Sequence, residues 1–183
     1  TSTTIVDADR IVLNDNGTMV QVAVTDLSTY IGTNTSLDVL TDSKSEGTNF
    51  TGSLLVGHQT TGTLDAATYN TGVGLTALDA LTTGDNNTAV GYAALTANTT
   101  GTTNTATGYY SLKSNTTGSG NTASGIRSLQ ENTEGDYNTA FGNQSLRLNT
   151  TGTNNTASGY LSLYTNTTAH YNTAIGFSAL FDA

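Results

Sequence analysis

The chain repeats itself every 17 residues. Asn70-Thr71-Gly72 returns as Asn87-Thr88-Ala89, Asn104-Thr105-Ala106, Asn121-Thr122-Ala123, Asn138-Thr139-Ala140, Asn155-Thr156-Ala157 and Asn172-Thr173-Ala174, with no insertion or deletion between them. A fixed period of this size specifies a stacked repeat architecture, in which each unit buries its inner face only against its neighbours. The chain is rich in Thr, Asn, Gly, Ser and Ala. That composition resembles a polar low-complexity segment, but disorder has no need of a strict register. Chemistry in such a rod lies on ladders of repeated side chains rather than in a pocket.

Counted from that Asn, the unit reads Asn-Thr-Ala-x-Gly-aromatic-x-Ser/Ala-Leu-x-x-Asn-Thr-Thr-Gly-x-x. Place 5 holds Gly74, Gly91, Gly108, Gly125, Gly142, Gly159 and Gly176, and place 9 holds Leu78, Leu95, Leu112, Leu129, Leu146, Leu163 and Leu180. A second Asn column runs from Asn98 to Asn166 at place 12, and a second Gly column from Gly84 to Gly152 at place 15. The unit is too short for the common helical repeats, and two glycines with Asn and Thr disfavour helix. Two short strands and two turns fit it. The Asn-Thr-Thr-Gly stretch would supply one turn through left-handed backbone angles, and the place 5 glycine the other bend. Coils would stack at about 4.8 Å, so eight of them make a rod of roughly 35 to 40 Å. Stacked Asn side chains would hydrogen-bond along the axis. The expected fold is all-β, a parallel β-roll or β-solenoid of about eight 17-residue coils.

The chain divides into three segments. Residues 1–32 read as a β-hairpin, with Asn16-Gly17 as its turn, followed by a short helix capped by Thr25 or Asp26 and stopped at Gly32. Residues 33–52 read as a polar linker, and 53–183 as the solenoid, with 53–69 a degenerate capping repeat in which Ser53 replaces the Asn. The chain starts at Thr1 rather than Met, and we read it as part of a longer or processed protein.

One Leu and one Ala per coil make a small core against the ordering cost of 17 residues. This points to a partner. The place 6 column is mostly large and apolar or aromatic, with Tyr92, Tyr109, Ile126, Tyr160 and Phe177 as the interface candidates. Identical copies around a shared axis would bury it.

The Asn-Thr-Ala-x-Gly-Tyr-x-Ser-Leu repeats resemble those of phage tail fibres and related virion fibres. The stretch Asp7-Ala8-Asp9-Arg10-Ile11-Val12-Leu13-Asn14-Asp15, followed by Gly17-Thr18-Met19 and Val22-Ala23-Val24-Thr25-Asp26-Leu27, is similar to one that precedes such repeats in phage fibre proteins. Ala174-Ile175-Gly176 is similar to the head repeat of trimeric autotransporter adhesins, whose unit is shorter. The resemblance implies a homotrimer at the virion surface, partnered by other virion fibre or baseplate proteins and by a host cell-surface glycan or protein.

Composition narrows the chemistry. The net charge is −9, and seven of the 14 acids precede residue 50. Such a chain is poorly suited to nucleic acid or anionic lipid. No apolar stretch is long enough for membrane insertion. No Cys is present, which excludes disulfides and thiol chemistry. No cofactor, metal or catalytic residue is expected. His58 and His170 fall in different columns without a ligand partner, and Glu131 and Glu134 read as solvated turn residues. Asp85 and Asp136 share a column three coils apart, roughly 14 Å, beyond either glycosidase geometry. Calcium-binding nonapeptides are absent. The Asn-x-Thr sites at Asn98, Asn115, Asn149 and Asn166 read as turn residues rather than glycosylation acceptors. For glycan contact the candidates are Tyr110 and Tyr164, which lie outside the place 6 column, then Tyr109 and Tyr160. The expected role is a structural and adhesive fibre shaft rather than an enzyme. Two alternatives are a bacterial cell-surface adhesin or extracellular filament subunit, and an ice-binding β-solenoid using the Thr columns.

Overall fold

A computed structural model describes residues 67–182 and, before them, four strands: β1 (Arg10–Asp15), β2 (Thr18–Ala23), β3 (Ser43–Lys44) and β4 (Leu54–Val56). The chain divides into two units, Thr1–Leu40 and Thr41–Ala183. In the first, β1 and β2 pair antiparallel with Asp15 opposite Thr18, leaving only Asn16 and Gly17 between them. Asn-Gly is the sequence that a two-residue hairpin turn favours. The helix expected near residues 26–31 lies outside the described residues, as does His58.

The second unit is a parallel β-solenoid. Its strands β5 (Thr71–Val73), β6 (Thr88–Val90), β7 (Thr105–Thr107), β8 (Thr122–Ser124), β9 (Thr139–Phe141), β10 (Thr156–Ser158) and β11 (Thr173–Ile175) stack in chain order beside β4. Every pairing joins residues 17 apart, as in Thr88 with Thr105 and Ala89 with Ala106. The parallel pairing of Leu54 with Thr71 places 54–56 in the same stack. Ser43 and Lys44, from the segment expected to be a linker, pair antiparallel with Val56 and Leu55 at the sheet's end. No membrane-spanning helix occurs among the described residues.

Each coil contains one strand, not two. The strand occupies places 2 to 4, with the Ala of place 3 buried between outward side chains. The leucine side is instead a run of tight turns. Places 7 and 9 are both left-handed, as in Ala93 (φ 53°) and Leu95 (φ 51°), or Tyr110 (φ 58°) and Leu112 (φ 49°). This conformation is unusual for non-glycine residues. Here it alternates the direction of successive N–H groups. Ala93 N–H donates to Leu75 C=O in the coil before (2.9 Å), and Leu95 N–H to Ser111 C=O in the coil after (3.1 Å). Ala94 N–H, between them, turns back to Gly91 C=O (3.4 Å). Coil-to-coil bonding therefore continues where the strand stops, which meets the demand that buried backbone groups be paired. Propensity rules do not announce a left-handed Leu column, so the sequence suggested a second strand.

The two glycine columns do different work. Place 5 glycines have positive φ, +137° at Gly125, and a Cβ there would meet the backbone of Gly142 in the next coil. Place 15 glycines do not have positive φ, contrary to the turn geometry expected for Asn-Thr-Thr-Gly. They are required by space. A Cβ on Gly118 would run into the Gly135 carbonyl and the Asn115 Oδ1.

The expected Leu and Ala fill the core, joined by Asn at places 1 and 12 and by Ser or Ala at place 8, buried along the stack as far as the last coil, where Leu180 is exposed. The buried amides make two ladders. Asn70 Oδ1 accepts the Asn87 backbone N–H (2.8 Å), and Asn87 Nδ2 donates across its own coil to Gly101 C=O (2.9 Å). The place 12 ladder links side chain to side chain, from Asn115 Nδ2 to Asn98 Oδ1 (2.9 Å) and onward through Asn132, Asn149 and Asn166. Both ladders meet at place 15. Gly118 C=O accepts from Asn104 Nδ2 (2.8 Å) and from Asn115 Nδ2 (2.9 Å). Because a buried amide left unpaired costs about 1–3 kcal/mol, these columns fix coil register as tightly as the leucines do.

Candidate functional site

Outward side chains of the strand and of place 6 form an apolar stripe along the solenoid. In it Val90 (38% exposed) and Tyr92 (42%) share one coil, and Tyr109 (42%), Ile126 (49%), Phe141 (48%) and Tyr160 (42%) follow in the next four, with Ile175 and Phe177 beyond. All five interface candidates lie on it. Their alignment follows from the period, since places 4 and 6 flank the place 5 glycine in every coil. Rings stack up the column: Tyr92 on Tyr109 at 5.3 Å between centroids, and Tyr160 on Phe177 at 5.4 Å.

Of the tyrosines expected as glycan platforms, Tyr109 and Tyr160 are exposed on the stripe and Tyr110 and Tyr164 are half-buried. Tyr110 is half-buried, its ring lies 4.1 Å from that of Tyr109, and Lys113 Nζ sits over it at 4.6 Å. Tyr164 is half-buried and stacks on Phe181 at 5.1 Å. Its hydroxyl accepts from Arg147 Nη1 (2.7 Å). Both rings therefore hold cations in place. The structure gathers Tyr92, Tyr109 and Tyr110 into one cluster and keeps Tyr160 and Tyr164 in separate stacks.

These contacts reveal a second face that the sequence reading missed. Side chains of places 7 and 10 meet within a coil, Tyr110 with Lys113, and Gln144 with Arg147 (3.2 Å). That pairing is not legible from spacing, because it depends on the left-handed turns between them. The only visible signal was that Lys113, Arg127 and Arg147, three of the five bases in the chain, fall at these two places in successive coils.

The remaining polar candidates have structural partners. Asp85 Oδ1 accepts the Thr68 N–H (2.7 Å) and hydroxyl (2.9 Å) from the coil before, and Asp136 Oδ1 accepts the Ser119 N–H (2.7 Å). His170 Nδ1 accepts the Thr153 N–H (3.0 Å) at the same place of its coil. Glu131 accepts from Gln130 Nε2 (2.6 Å). Asn98, Asn115, Asn149 and Asn166 are buried in the place 12 ladder. No group of three or more His, Cys, Asp or Glu side chains able to hold a metal occurs among the described residues. Comparison with protein-family models, curated proteins and solved structures finds no match to this chain.

Proposed function

We propose that this chain is a length of fibre shaft from a phage tail fibre, assembled from parallel copies as a homotrimer and serving host-surface attachment. The observation that carries the reading is the apolar stripe of places 4 and 6. Its large side chains are more than a third exposed on coil after coil, whereas the other widely exposed rings, Tyr69, Tyr137 and Tyr171 at place 17, never fall in adjacent coils. Continuous apolar patches of this kind mark interaction surfaces. A second copy running in the same direction carries the same ladder at the same rise of about 4.8 Å per coil, so it matches the stripe along its whole length. A closed ring of copies gives every stripe the same environment. The role is mechanical: the ladders give stiffness, and repeated outward side chains give many weak contacts that add by avidity. Other fibre or baseplate proteins would hold its ends at the virion surface.

The test is the mass of the purified chain by light scattering, before and after gentle heating. A heat-resistant assembly of three copies supports the reading. A folded monomer overturns the shared-axis assembly.

A further inference from the structure

We propose that the face formed by places 7 and 10 binds a linear acidic polysaccharide through its sugar carboxylates. This deepens the host-attachment reading by naming a ligand class, and rests on that reading only for the source of the glycan.

Lys113, Arg127 and Arg147 follow one another at one-coil steps on this face, spanning roughly 10 Å along the axis by the coil spacing. None of the three forms an ion pair among the described residues, in a chain of net charge −9. Glu131, beside them, is turned to Gln130 Nε2 and to Ser114 Oγ (3.4 Å). Two of the three cations are held by rings. Lys113 lies against the Tyr110 ring, and Arg147 against Tyr164. A preorganised guanidinium gives up less rotamer freedom on meeting a carboxylate.

The second observation is a pair of unmet polar atoms in adjacent coils of place 10. Gln130 Oε1, an acceptor on a side chain 9% exposed, and Arg147 Nε, a donor, have no hydrogen-bond partner among the described residues. Orphaned buried polar atoms call for an explanation. A uronate supplies both complements, a hydroxyl for the amide oxygen and a carboxylate for the guanidinium. Meeting them requires Gln130 and Arg147 to turn outward. A linear uronate chain repeats its carboxylate at regular intervals, as the solenoid repeats its cations. An acidic peptide offers the carboxylates without the hydroxyls. The face meets the apolar stripe at Tyr110, whose ring contacts Tyr92 and Tyr109.

The test is calorimetric titration of the full chain with short oligogalacturonate, with neutral dextran oligosaccharide and polyglutamate of similar length as comparisons. Expected is binding of oligogalacturonate that weakens as salt rises, with dextran inert and polyglutamate markedly weaker. The triple variant K113Q/R127Q/R147Q should weaken oligogalacturonate binding about tenfold or more, at an unchanged circular dichroism spectrum. Absence of oligogalacturonate binding overturns the proposal. So does equal binding of dextran, which would make the cations irrelevant, or equal binding of polyglutamate, which would assign the face to an acidic protein segment. These wild-type comparisons decide even if the variant folds poorly. The mass measurement addresses assembly alone, so the two readings fail separately.

Discussion

Asn115 Nδ2 donates to Asn98 Oδ1 in the coil before and, with its other hydrogen, to Gly118 C=O in its own coil, both at 2.9 Å. One buried amide thus ties neighbouring coils together and closes the turn of its own. Its oxygen passes the pattern on to Asn132.

Replacing a mid-stack clamp should therefore cost more than a core truncation of equal volume. Asn121 Oδ1 holds the Asn138 N–H (2.9 Å), and its Nδ2 holds Gly135 C=O (2.8 Å). Asn121→Ala leaves an N–H and a carbonyl lone pair unmet in the interior, at about 1–3 kcal/mol each. We expect a loss of about 3–5 kcal/mol in denaturant unfolding, against less than about 0.5 for Thr117→Ala on the exposed turn. Equal midpoints for the two variants would remove the ladder from the list of stabilising features.

At Gly125 two constraints coincide, a φ of +137° and a next-coil backbone where a Cβ would stand. Gly125→Ala should destabilise by at least about 2 kcal/mol and open neighbouring coils to protease. Hydrogen exchange should show lost protection centred on Gly125 and Gly142. Uniform protection across the stack would contradict the close approach.

Thr103 is left-handed (φ 56°), which a β-branched residue tolerates poorly. The same place holds Asn in two other coils, Asn86 and Asn154. Thr103→Asn should stabilise the chain by about 0.5–1 kcal/mol, read as a raised unfolding midpoint. A lowered midpoint would mean that the hydrogen bond from Thr103 Oγ1 to Thr102 C=O (2.7 Å) outweighs the backbone strain.

Ile126 sits mid-stripe and is 49% exposed. Ile126→Asp should leave the fold of one chain intact and reduce the assembled mass to that of a monomer. Thr117→Asp, on a turn, should leave the mass unchanged. An assembly that survives Ile126→Asp would place the contact surface elsewhere.

How much of this was legible depends on what each residue was asked to report. The 17-residue period with Leu and Ala in fixed columns sufficed for coils, their register and the inward face, because those follow from repetition alone. Asn98 and Asn115 could be read as ladder members for the same reason. What spacing could not report was backbone handedness. Leu95 and Leu112 adopt positive φ because the stack satisfies their N–H groups, a tertiary effect that local propensity does not carry. With those turns hidden, the meeting of Tyr110 with Lys113 was hidden too. Gly118 reads as a turn residue by type, but the next coil's carbonyl is what excludes a side chain there.

The inward columns pair each coil with the next at a fixed offset, as Asn87 with Asn104. A gain or loss of one residue inside a coil would set Asn opposite Thr and Gly opposite a side chain. Such a rod tolerates length change in whole coils only, each worth about 4.8 Å of reach. Its extent is a counted quantity, altered by duplication and deletion at the level of the gene.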